Sequence, residues 1–129
     1  MPLADIETSV PALLDTIQAA MFEKARDSYM SRLKVITQWS ELVPTLDAKC
    51  VAVLPWCEEE KCEDGIKDRS AQESQREGEK QDERAPSAGA KSLCIPFDQA
   101  RYPPIEPGKT KCPACGKDAK RWTMFGRSY

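Results

Sequence analysis

Four of the six cysteines fall into two short-spaced pairs, in a chain of 129 residues that has no histidine. Thiolate sulfur is a ligand that zinc prefers, and a structural zinc site needs four ligands in a tetrahedron. One tight turn can present two sulfurs to the same ion, so two pairs supply a complete set. The spacing therefore predicts one zinc site, formed by Cys57, Cys62, Cys112 and Cys115.

The predicted site joins distant parts of the chain, because Cys62 and Cys112 are 50 residues apart. Closing a loop of that length costs about 3 to 4 kcal/mol. Structural zinc contributes about 10 to 16 kcal/mol on binding. The metal can therefore hold the two halves of the site together.

Two other uses of the cysteine pairs are open. Lys111 and Lys117 flank the second pair and would lower thiol pKa values, which favours disulfide exchange. That alternative predicts a reversible Cys112 to Cys115 disulfide and no metal, but redox pairs usually begin a helix, and this pair lies in a loop rich in Pro, Gly and Lys. A disulfide framework requires secretion, and no signal sequence is visible. An intracellular, reducing compartment is expected.

The other two cysteines, Cys50 and Cys94, lie in apolar runs and are predicted to be packed thiols. No catalytic constellation is visible, because histidine, a phosphate-binding glycine loop and a Gly-x-Ser-x-Gly elbow are all missing. No apolar run is long enough for a membrane span. The chain alone is not expected to catalyse a reaction.

The elements that position the cysteines predict an α+β fold. Apolar residues at helical spacing predict one long amphipathic helix that starts near Thr8 and continues to Ile36, with its apolar stripe in the core. A shorter helix is expected over residues 37–46, disturbed in its later turn by Pro44. Three short runs predict the strands of a small mixed sheet: Cys50–Leu54, which ends at Pro55, Leu93–Phe97 and Arg121–Phe125.

A short polar helix is expected to begin near Cys62 and to be anchored by Ile66. The following stretch, residues 72–90, has almost nothing to bury and predicts a long disordered polar loop. A loop of this length is unusual inside a compact domain. Zinc binding on both sides of the loop would allow it.

The carboxy-terminal part of the chain is locally basic, with two acids, Glu106 and Asp118, against seven basic residues. This charge leaves open a stand-alone interaction module that contacts RNA or an acidic protein. The favoured interpretation is a solvated face. The basic residues are Arg101, Lys109, Lys111, Lys117, Lys120, Arg121 and Arg127.

Several stretches together resemble the carboxy-terminal zinc-binding domain of archaeal/eukaryotic-type prolyl-tRNA synthetase, a class II enzyme, including the prolyl half of the bifunctional glutamyl-prolyl enzyme. The resemblance covers residues 1–129 except the polar loop. The most specific stretches are Gly-Ala-Lys-Ser-Leu-Cys-Ile-Pro-Phe at 89–97 and Phe-Gly-Arg-Ser-Tyr at 125–129. Residues 4–11 and Leu-Pro-Trp-Cys at 54–57, with Cys-Glu-Asp-Gly-Ile-Lys at 62–67, also match.

The resemblance implies a structural Zn²⁺ module of a cytoplasmic proline–tRNA ligase, which attaches proline to its tRNA with ATP. Its cysteines correspond to Cys57, Cys62, Cys112 and Cys115, although the second family pair is often Cys-x-Cys. The terminal Tyr129 corresponds to a residue that reaches toward the aminoacylation site. The implied partners are the catalytic and anticodon-binding domains, tRNA(Pro) through the parent enzyme, and a second subunit in a homodimer, with no membrane. ATP would bind to the parent enzyme and not to this chain.

Overall fold

The computed structural model describes residues 5–75 and 88–128, in which three α-helices and four strands form an α+β fold. Two short 3₁₀ turns, Trp39–Glu41 and Gln99–Arg101, lie between them. The predicted fold class is confirmed. In chain order the elements are α1 (Ile6–Arg32), β1 (Leu33–Val35), α2 (Leu42–Asp47), β2 (Val51–Trp56), α3 (Glu60–Gln75), β3 (Lys91–Cys94) and β4 (Arg121–Gly126).

Helix α1 belongs to a separate unit that ends at Arg32. It begins at Ile6, before the expected start near Thr8, so that Pro11 lies inside the helix. None of its residues is buried, and Met21 is 64% exposed. The prediction that its apolar stripe forms the core is therefore wrong for this chain.

Strand β1 replaces the expected last turn of the long helix. Leu33 and Ile36 fit helical spacing, but Leu33–Val35 pairs in parallel with Val51–Val53 of β2. A parallel pair needs a crossover between its strands, which α2 provides. Pro44 lies in the first turn of α2, where its missing N–H is harmless, and not in a later turn.

The sheet has the order β1-β2-β4-β3 and is mixed, because β1 and β2 are parallel whereas β4 is antiparallel to both of its neighbours. Strand β2 continues through Pro55, where the sequence had predicted its end. Strand β1 pairs with β2 only as far as Val53. On the β1 side of β2, therefore, no strand lies beside Pro55, and its missing N–H costs no hydrogen bond between strands. The extra residues bring the strand end directly to Cys57.

The core lies on both faces of this sheet. On one face, α2 and α3 contribute Leu42, Leu46 and Ile66, which pack with Leu54 and Phe125. The cysteine pairs border the same cluster. The smaller cluster on the other face contains Val53, Tyr102, Trp122 and Met124. Ile66 is completely buried, which confirms it as the anchor of α3.

Helix α3 is longer than predicted and contains the first four residues of the expected loop, 72–75. At the far end of that loop Gly89 and Ala90 are buried, and the Ala90 N–H donates to the Ser70 hydroxyl at 2.7 Å. A polar helix is thus stabilised by tertiary contacts that composition alone does not reveal. Residues 76–87 of the predicted loop lie outside the described residues. No helix of the described part is long and apolar enough to cross a membrane.

Candidate metal centre

The sulfur atoms of the two predicted pairs lie together, all within 4.8 Å of one another. The contacts between the pairs are short, at 3.7 Å for Cys62 to Cys112 and 3.5 Å for Cys57 to Cys115. A tetrahedron with Zn–S bonds of about 2.3 Å has sulfur–sulfur edges of about 3.8 Å. A disulfide would need about 2.05 Å. The four thiols therefore fit one zinc-sized ion.

The first pair spans the junction between a strand and a helix. Cys57 follows the last residue of β2 and is 2% exposed, and Cys62 lies in the first turn of α3. Between them Glu58 has a left-handed backbone with φ 61°, which reverses the chain. The four-residue gap is therefore the length needed to leave the sheet and start the helix.

The second pair lies in a tight turn closed by backbone hydrogen bonds. The Cys112 N–H donates to the Lys117 carbonyl, and the Gly116 N–H donates to the Cys112 carbonyl, both at 2.8 Å. Gly116 has φ 74°, which glycine adopts without steric cost. The glycine after Cys115 thus lets the turn curl so that both sulfurs face one point.

Burial makes the thiols of Cys57 and Cys62 poor anions unless a cation is present. It raises the pKa of Cys57 to about 11 and also raises the pKa of Cys62. Burial acts in the same direction on Cys115, but the backbone N–H of Lys117 and the other three thiols outweigh it and hold the pKa of Cys115 below its usual value. A buried thiolate needs a compensating positive charge. A divalent ion bound by the four sulfurs would supply it.

Two ion pairs lie beside the site, one between the first cysteine turn and β4 and one between the two cysteine turns. The Arg121 guanidinium donates two hydrogen bonds, of 2.6 and 2.8 Å, to the Glu58 carboxylate and lowers the pKa of that carboxyl. The ammonium of Lys117 binds Glu59, which raises the pKa of Lys117. The lysine side chain therefore serves an ion pair, whereas its backbone N–H, together with the other three thiols, lowers the pKa of Cys115.

Sequence reasoning did not assign these ion pairs, although opposite charges next to the two pairs were a usable signal. The first pair encloses three glutamates, and basic residues follow the second. Which charges meet depends on strand register, since Trp56 of β2 lies opposite Arg121 of β4. That register is a property of the folded sheet.

The remaining candidates lie outside the cluster. Cys50 is half-buried, but Cys94 is exposed, so the prediction that Cys94 is a packed thiol is wrong. Strand β3, which contains Cys94, is the edge of the sheet and has little to cover it. Tyr129 lies outside the described residues. Within residues 5–75 and 88–128, the four-cysteine cluster is the one group of His, Cys, Asp or Glu side chains close enough to hold a metal.

Comparison with known proteins identifies the class to which this fold and cysteine cluster belong. Residues 39–129 match the family described as prolyl-tRNA synthetase, C-terminal. The match covers most of the chain, and the chain therefore belongs to this family, as its resemblance predicted.

Particular relatives agree with this assignment. The chain is 44% identical over 131 aligned positions to the bifunctional glutamate/proline–tRNA ligase of Drosophila melanogaster, and 35% identical over 129 positions to the cytoplasmic proline–tRNA ligase of Arabidopsis thaliana. It superposes on a crystal structure of prolyl-tRNA synthetase from Cryptosporidium parvum with a TM-score of 0.81 and 35% identity. Each match covers the whole chain but only 7%, 21% and 23% of the respective relative. The chain thus spans less than a quarter of their length.

Proposed function

We propose that the chain is a structural zinc module of a proline–tRNA ligase. The observation that carries the proposal is the meeting of four sulfurs within 4.8 Å from turns that are far apart in sequence. Zinc bound by four thiolates supplies folding energy and not reaction chemistry, because no ligand position is left open. The residues that would hold it are Cys57, Cys62, Cys112 and Cys115.

The activity would belong to the parent enzyme. By the names of its relatives, that enzyme joins proline to tRNA, and we infer that it acts in the cytoplasm. The family resemblance further leads us to propose that it is a homodimer. ATP and tRNA(Pro) would bind to its catalytic and anticodon-binding domains. The present chain would support those domains and would not charge tRNA on its own.

Metal analysis of the purified chain tests the proposed site. We expect about one zinc per chain, and we expect Cys57→Ser and Cys112→Ser to lose the metal together with much of the folding stability, so that both melt well below the wild type. Cys50→Ser and Cys94→Ser are matched controls, because neither cysteine belongs to the cluster. A folded wild-type chain with far less than one metal per chain would contradict the proposal. A reversible Cys112 to Cys115 disulfide in that metal-free chain would favour the redox alternative.

A chimeric enzyme tests the link to tRNA charging. The segment of the Drosophila ligase that aligns with this chain would be replaced by residues 1–129, and prolylation of tRNA would be measured. We expect the chimera to charge tRNA, and a Cys112→Ser chimera to lose most of that activity. An active chimera that is unaffected by Cys112→Ser would separate the metal site from the enzyme's function.

The alternative of a stand-alone RNA-binding module is weakened by the charges around the basic tail. Most of its basic side chains are already paired with acids, so little unpaired positive charge is available for a phosphate backbone. Steeply salt-dependent RNA binding by the chain alone would revive this alternative. The paired residues are Lys109, Lys111, Lys117, Arg121 and Arg127.

A further inference from the structure

The side chain of Arg69, in the middle of α3, connects an aromatic ring to the second cysteine turn. Its guanidinium carbon lies 3.9 Å from the centroid of the Trp39 ring. Its Nη1 donates to the carbonyl oxygen of Ala114 at 3.1 Å. Ala114 lies between Cys112 and Cys115, so Arg69 holds the backbone of the turn that presents both sulfurs.

Trp39 is itself fixed by the same helix. Its indole N–H donates to the two carboxylate oxygens of Glu73, at 2.9 and 3.1 Å. Arg69 and Glu73 are four residues apart in α3 and thus lie on one face of the helix. The indole ring also packs against the core. The Trp39 ring on which Arg69 stacks is therefore held in place both by hydrogen bonding to Glu73 and by packing against the core.

Helix α3 also contains a cysteine of the first pair, Cys62, in its first turn. The contact of Arg69 with Ala114 therefore ties the second turn to the element that presents part of the first pair. The Cys115 side of the turn needs this support, because Cys115 is exposed whereas Cys112 is 1% exposed. The Cys112 side is already held by core packing and by the backbone hydrogen bonds that Cys112 makes with Lys117 and Gly116.

We propose that Arg69, stacked on Trp39, is a positioning residue for the metal centre, which holds the Cys112 to Cys115 turn in its metal-binding geometry. The inference rests on the proposed function, since it requires a metal at the four thiols. Arg69 does not reach the metal and acts through the Ala114 carbonyl. A planar guanidinium can stack on an indole and donate in its own plane at the same time, which a lysine ammonium cannot do.

Zinc release from the loaded protein to a chromogenic chelator measures this role. We expect Arg69→Gln and Trp39→Leu to accelerate release by about tenfold, the lower end of what is usual when groups that orient metal ligands are removed. Trp39→Phe keeps a ring face but loses the bond to Glu73, and it should fall between these variants and the wild type. Lys67→Gln is the matched control, because it removes one positive charge from the exposed surface of the same helix.

Arg69→Lys keeps the charge and most of the side-chain stem. It keeps the test available if Arg69→Gln fails to fold. It should still release zinc faster than the wild type. If the wild type binds one zinc and its release is unchanged in Arg69→Gln and Arg69→Lys, the positioning role is wrong and the metal site stands. If the Arg69 variants lose the same melting temperature with and without metal, and their zinc release is unchanged, Arg69 has only a general packing role. A wild type without zinc would overturn the proposed function itself.

Discussion

At the scale of single residues, the backbone after Cys57 is held in a conformation that glutamate does not favour. Glu58 has φ 61°, in the left-handed region, which costs a residue with a side chain about 1 to 2 kcal/mol. Its two hydrogen bonds with Arg121 hold it there. The corresponding position after Cys115 is a glycine, Gly116, which avoids this cost. The first turn thus depends on a contact from β4, whereas the second is built into its own sequence.

The thiol pKa values predict opposite pH responses for the metal-free and zinc-loaded protein. Burial raises the pKa of Cys57 from 9.0 to about 11, so the folded metal-free protein keeps this proton at pH values where the unfolded chain has lost it. The contribution of Cys57 to the free energy of unfolding is therefore fully present below about pH 9 and is lost as the pH rises toward 11. In the zinc-loaded protein the thiols are already deprotonated, and stability is lost when the pH falls and protons compete for sulfur.

Thermal melting of the two forms across pH measures this difference. The ionisable groups outside the cluster are the same in both forms, so the melting temperature of the zinc-loaded form minus that of the metal-free form isolates the cysteines. We expect this difference to grow between pH 9 and 11, the usual and raised pKa values of Cys57, and to shrink on acidification. Cys94→Ser should follow the wild-type profile. Parallel alkaline losses in the two forms would show that the buried thiols do not control the effect.

Residue types and spacing were sufficient to predict the four members of the cluster, because tetrathiolate sites constrain both. They were not sufficient to predict Arg69 or Arg121. The partners of these side chains, Ala114 and Glu58, are 45 and 63 residues away. Such pairs become neighbours only through the sheet register and the placement of α3, which no local pattern encodes.

At the scale of elements, α3 organises the site, since it contains Cys62, carries Arg69 and packs against Gly89 and Ala90. This packing is tight, because a Cβ on Gly89 would lie 2.6 Å from the Lys67 carbonyl oxygen. The Ala90 N–H donates to the Ser70 hydroxyl next to this contact. Strand β3 thus starts directly against the helix backbone.

Gly89→Ala tests this close approach, with Gly65→Ala, in α3 itself, as the matched control. The added methyl at position 89 must displace backbone, and we expect a loss of about 1 to 3 kcal/mol in the free energy of unfolding. A methyl at Gly65 meets nothing within 4 Å and removes a helix-interior glycine, which should add up to about 1 kcal/mol. Urea unfolding of the zinc-loaded variants measures both. Equal effects of the two substitutions would contradict the close packing of the chain on α3.

Element boundaries were the less predictable part of the fold. Strand β4 was predicted to within one residue and the start of α3 to within two, because alternation and the cysteine spacing marked them. The end of α3 was not, because its polar last turn is held by contacts such as that of Arg127 with Ser74 at 2.5 Å. Strand β1 was taken for helix, since its three residues continue the helical period and gain their strand identity from pairing with β2.

At the scale of the whole molecule, the chain divides into two units of different character. The buried core residues and all four clustered cysteines lie after Arg32, in the second unit. The first unit consists mainly of α1, whose large apolar side chains are 40% exposed or more, apart from the half-buried Met30. Exposed apolar surface of this extent commonly marks a protein interface. The metal centre should therefore be independent of the helix that precedes it.

A shortened chain that starts at Leu33 tests this independence. Because it retains the core of both sheet faces and every cysteine, we expect it to bind about one zinc and to keep the near-ultraviolet circular dichroism of its buried tryptophans, Trp56 and Trp122. The full chain should self-associate at high concentration through α1 and the shortened chain should not, which sedimentation velocity would show. The substitution Leu14→Asp in the full chain is the matched control and should reduce association without changing the zinc content. Loss of zinc from the shortened chain would mean that α1 contributes to the stability of the metal unit.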